Sequence, residues 1–101
     1  VAFFINIYEE IIYNLQMNII DRKKIIKFAI DVQPYNFTEE IDMDNILDFL
    51  IDNKISMNEL LNQISPILDW YDLSNIERMC MNELYEFIYR KIYIKNEKQN
   101  I

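Results

Sequence analysis

Asp44, Asp48 and Asp52 recur at i, i+4 and i+8, a spacing that lines three carboxylates along one face of a helix. Like charges at that spacing repel mildly, so the row needs a reason: a cation, a basic partner, or simply a solvated face. Calcium is the first cation to consider, because Asp42-Met43-Asp44 opens like a helix–loop–helix calcium loop. Such a loop needs oxygen ligands at alternate positions, Gly at the sixth and Glu at the twelfth. Counted from Asp42, the sixth position is Leu47 and the twelfth is Asn53, with Ile46, Leu47 and Phe49 between. That is a helix, and no metal or other cofactor is expected there.

Catalysis has little to work with. The chain contains no His and no Gly. Without His it lacks the commonest general base, the commonest metal ligand and the usual pH sensor. Without Gly it cannot build a glycine-rich phosphate loop or a dinucleotide fingerprint. Cys80 is the one cysteine, which excludes an intrachain disulfide and a zinc cage made of thiolates. It sits on the apolar side of its segment, where a free thiol behaves as a small apolar residue, and no His is present to activate it. Paired carboxylates can act as acid and base in glycosidases, but such pairs need a cleft, which nothing here supplies. The expectation is a protein that is not an enzyme.

Aromatic residues offer a different chemistry. Tyr85, Tyr89 and Tyr93 repeat at i+4 beside the apolar face of Leu84, Phe87 and Ile88, with Arg78 and Arg90 on the same segment. Tyr and Arg are enriched among interface anchors, so this strip is a candidate partner-binding surface. In the alternative, the rings flank the core with their hydroxyls in water. Trp70 and Tyr71 are adjacent and could plug the core or form an exposed anchor; the core is the expectation, since Trp is highly buried on average.

Charge is distributed unevenly. The chain carries a net charge of -7. Between Asp31 and Glu77 there are 11 acidic side chains and a single base, Lys54, whereas Arg22, Lys23, Lys24 and Lys27 form a short basic run just before. The acidic stretch repels phosphates, and the basic run has no interleaved aromatics, so nucleic acid is not an expected partner. A basic protein surface is. The Asp44/Asp48/Asp52 row is therefore the second candidate partner-binding surface, its electrostatics suited to steering association.

These side chains must be positioned by helices. A chain without Gly is poorly equipped for hairpins, and the apolar spacing throughout is helical. Residues 2–18 place Phe4, Tyr8, Ile11 and Leu15 on one stripe; Glu9 and Glu10 interrupt them, so a membrane span is not expected. Asp21 caps a helix over 22–32 with Ile25, Ile26, Ala29 and Val32 inward, stopped by Pro34. Thr38 before Glu39 and Glu40 is a start signal, with Asp42 a competing cap. The segment that follows, Ile46 to Ile51, is apolar around much of its circumference and is expected to be central. Ser56-Met57-Asn58-Glu59 and Ser74-Asn75-Ile76-Glu77 are capping boxes opening two further helices. Pro66 after Ser65 is expected to begin a short helix over 66–71, the alternative being one kinked helix over 57–71. The last helix is expected to reach about residue 95, leaving 96–101 as a frayed polar tail.

The expected architecture is all-α: a compact bundle of five to six helices with short loops, forming a single domain over residues 1–95. Ile and Asn are abundant while Ala and Val are scarce, a bias that an AT-rich genome explains without function. The first residue is Val1, which suggests a domain fragment of a longer chain. A lone cysteine fits a reducing, intracellular compartment. The expected function is a non-catalytic helical protein–protein interaction or scaffold domain, using Asp44/Asp48/Asp52, the Tyr85/Tyr89/Tyr93 strip, or both. The alternative is an acidic inhibitor, of the immunity-protein, antitoxin or nucleic-acid-mimic type, that blocks a basic enzyme surface. A third reading is a homodimer that buries an apolar strip.

Overall fold

The computed structural model describes residues 18–94. The first expected helix, apart from Asn18, and the tail at 96–101 lie outside them. The chain runs through helix α1 (Arg22–Asp31), a 3₁₀ turn (Tyr35–Phe37), α2 (Met43–Asn53), α3 (Met57–Trp70), α4 (Asn75–Tyr89) and a π-helical turn (Arg90–Ile94). No strand occurs among the described residues. The architecture is all-α and compact as expected; among the described residues there are four α-helices, a 3₁₀ turn and a π-helical turn, and the short separate helix expected over 66–71 is not among them.

Each helix starts where a short polar side chain meets its free amides. The Asp21 carboxylate accepts from the Lys23 amide at 2.8 Å, and the Asp42 carboxylate from the Asp44 amide at 2.9 Å. Thr38 is thus not the cap of α2; its hydroxyl donates instead to the Tyr35 carbonyl at 2.9 Å and closes the 3₁₀ turn. Ser56 accepts from the Glu59 amide, and Ser74 and Glu77 complete a full reciprocal capping box. At the other end of α2, Lys54 adopts a left-handed conformation with φ 56°, a role usually taken by Gly. The amide of Ile55 reaches back to the Leu50 carbonyl and that of Lys54 to the Ile51 carbonyl, which satisfies the last turn.

Pro66 does not open a new helix: α3 continues through it. A proline lacks the amide that would bond the Asn62 carbonyl, but its ring faces solvent while Ile64 and Ile67 on either side are buried. Packing on both sides holds the backbone helical where local preference favours a restart.

Helix α4 is the centre of the bundle and packs against α1 and α3. Cys80, Met81, Leu84, Phe87 and Ile88 are all buried on its inner side. They meet Ile25 and Ala29 of α1 and Leu60, Leu61, Ile64 and Ile67 of α3 in one core. Burying such a side chain stabilises the fold by about 1.5–3 kcal/mol. The expected central helix, α2, buries one side only. Ile46, Phe49 and Leu50 face the core, and the Phe49 ring stacks on Phe28 with centroids 3.9 Å apart. Leu47 and Ile51 are exposed at 43% and 72%, because α2 lies at the edge of the bundle.

Polar side chains stitch the helices together. Gln33 donates to the carbonyls of Ala29 and Cys80, tying the end of α1 to α4. Gln63 of α3 accepts from the Ile20 amide and donates to the Asn18 carbonyl, both at 2.8 Å. Arg78 of α4 donates to the carbonyls of Leu68 and Tyr71, and so caps the end of α3, whose last carbonyls have no helical donor.

Candidate functional site

The three tyrosines of the expected strip come together. Helix α4 places Tyr85 and Tyr89 one turn apart, with ring centroids 6.2 Å apart and planes within 19°. The π-helical turn then carries Tyr93 to 4.7 Å from the Tyr89 ring. These separations lie within the range of favourable aromatic pairs. Tyr85 is half-buried against the core, while Tyr89 and Tyr93 are exposed. Tyr85, Glu86, Tyr89 and Arg90 line a shallow, mostly apolar hollow of about 410 Å³. Beside the strip, the Lys91 ammonium lies 5.1 Å from the Phe87 ring and 3.8 Å from the Glu40 carboxylate. The strip is a mostly apolar surface with polar edges.

Asp44, Asp48 and Asp52 are all exposed along the outer side of α2. None of them forms an ion pair among the described residues. The same side carries Leu47 and Ile51, so the acidic row runs beside an apolar one. Among the described residues, no group of three His, Cys, Asp or Glu side chains could hold a metal ion.

Trp70 is not a core residue. It is 83% exposed at the end of α3. Next to it, Tyr71 carries the Arg22 guanidinium over its ring, 4.2 Å from the centroid, and accepts a hydrogen bond from it at 2.7 Å. Ile19, Arg22, Gln63, Pro66, Ile67 and Tyr71 are among the residues around an open groove of about 680 Å³. Sequence reasoning missed this surface because it ended a helix at Ser65. Continuing the helical phase of Leu60 and Ile64 through Pro66 puts Gln63, Pro66 and Trp70 on one flank, away from the inward stripe.

Cys80 is buried at 2% exposure. Burial, with the nearby charge of Glu83, pushes its thiol above the ordinary value, which disfavours the nucleophilic thiolate. No helix among the described residues is long and apolar enough to cross a membrane. Comparison with protein-family models, with curated proteins and with solved structures finds no match for this chain.

Proposed function

We propose that the chain is a non-catalytic protein–protein interaction module of an intracellular protein, anchored on its partner by Tyr85, Tyr89 and Tyr93. The observation that carries this reading is the pre-arranged pair of Tyr89 and Tyr93, 43% and 46% exposed with their rings already packed together. Rings held this way lose little freedom when a partner covers them. Arg90 at the edge of the hollow adds a second residue type typical of interface anchors. The partner is a protein presenting an apolar side chain to the hollow.

The test uses the full chain as bait in its native source, with washes at low and high salt. An apolar, Tyr-anchored partner survives high salt. It is lost with Tyr89→Ala, for which a hot-spot truncation costs about 2 kcal/mol or more of binding. Retention of the same partner by Tyr89→Ala would refute the reading.

A second reading rests on the exposed row of Asp44, Asp48 and Asp52. Here the chain is an acidic inhibitor that covers a basic enzyme surface. Its partner would be released by salt and would be indifferent to Tyr89→Ala.

A further inference from the structure

The outer sides of α1 and α2 carry the same pattern with opposite charge. On α2 the acidic row includes Asp48 and Asp52, and the exposed apolar row beside it is Leu47 and Ile51. On α1 the basic row is Lys23 and Lys27, and the apolar row beside it is Ile26 and Ile30. Lys23 and Lys27 are exposed, Ile30 is 39% exposed and Ile26 half-buried. A hollow of about 220 Å³ bordered by these four residues, Asp31 and Glu77 lies on this side of α1. On each helix the charged row repeats at i+4, and the apolar row follows it by three residues. Neighbours at i+4 lie roughly 6 Å apart, so the two patterns match in pitch.

Their handedness decides the orientation. Because the apolar row lies on the same side of the charged row in both helices, parallel apposition sets charge against apolar side chain. Antiparallel apposition sets like row against like. Asp48 and Asp52 then come opposite Lys27 and Lys23, while Leu47 and Ile51 interleave with Ile26 and Ile30. Among the described residues neither face is covered, and each carries the charge that the other lacks, so the two can meet between copies.

We propose that the outer face of α2 docks antiparallel on the outer face of α1 of a second copy of this chain. The apolar rows provide the contact area, and the charged rows fix its register. The interface is heterologous, joining two different patches, so it propagates from copy to copy or closes into a ring. Two groups on the α1 face compete with it. Lys27 pairs with Asp31 at 2.7 Å, but both side chains are largely exposed and such a pair is easily exchanged. Glu77 is engaged in the α4 capping box and remains so on docking. This proposal is independent of the tyrosine strip, which lies on other residues.

Sedimentation velocity of the full chain over a wide range of concentration tests it. The expected result is a species larger than a monomer that grows with concentration and shrinks with added salt. Asp48→Lys/Asp52→Lys removes one face and Lys23→Glu/Lys27→Glu the other, so each double variant alone is expected to stay monomeric. Mixed in equal amounts they hold two compatible pairs of faces, one native and one charge-reversed, and should assemble into alternating species larger than either monomer. Ile51→Ser, which changes no charge at a site 72% exposed, is expected to weaken assembly at least tenfold with unchanged helical circular dichroism. A wild-type chain that stays monomeric at the highest concentration overturns the proposal, as does a mixture that yields nothing larger than a monomer. Either result leaves Tyr89-dependent capture of a partner untouched.

Discussion

The Arg22 guanidinium lies over the ring of Tyr71, 49 residues further along the chain, and also donates a hydrogen bond to its hydroxyl. The start of α1 is thereby clamped to the end of α3 by one planar cation. Replacing Arg22 with Ala removes both contacts and is expected to destabilise the fold by about 1 kcal/mol. Arg22→Lys keeps the charge without the planar fork and should recover only part of that. Urea midpoints measure both. Trp70→Ala, next to the clamp but 83% exposed, should change stability by no more than about 0.5 kcal/mol.

The capping box at the start of α4 gives stability a defined dependence on pH. The Glu77 carboxylate accepts from the Ser74 amide at 2.9 Å. Bonds from the Ser74 backbone and hydroxyl hold its pKa below the ordinary carboxylate value. A carboxyl whose folded pKa is lowered stabilises the fold above its unfolded pKa, and that contribution disappears as pH falls through the folded value. Glu77→Gln should therefore be less stable than the wild type at neutral pH, with the gap closing in acid. Chemical denaturation of both proteins across the acid range gives the comparison. Ser74→Ala, which leaves the amide of Glu77 without its side-chain acceptor, is expected to cost about 1 kcal/mol.

Pro66 is a local choice that opposes its own helix. Its ring faces solvent in α3 and leaves the Asn62 carbonyl without the usual helical donor. Pro66→Ala restores that bond. Part of the gain is offset by the extra freedom of the unfolded chain, so the expected stabilisation is about 2 kcal/mol. A rise in thermal midpoint checks it; a fall would mean that the ring itself is required where it borders the groove beside Ile67.

Most of the described helical framework is legible in the sequence. Asp21, Ser56 and Ser74 were expected to cap helices and do, because a short side-chain acceptor beside free amides is a purely local device. The inward positions Ile25, Ala29, Cys80, Leu84 and Ile88 follow from period alone and are buried. The misreadings share one cause. Pro66, Trp70, Leu47 and Ile51 were judged from residue type, whereas their placement depends on what lies on the other side of the helix.

The sequence by itself determined the all-α class, the helix starts at Asp21, Ser56 and Ser74, and the rows of Asp44/Asp48/Asp52 and Tyr85/Tyr89/Tyr93, because capping and the 3.6-residue period act over a few residues. Only the tertiary structure decided which helix is central, where Trp70 points, and that Arg22 meets Tyr71. Those outcomes depend on which helices pack together, and that packing is set by residues far apart in the chain. The exposed apolar row of α2 is the clearest instance. Leu47 and Ile51 are as apolar as their buried neighbours, and only the absence of a packed helix over them among the described residues leaves them at the surface.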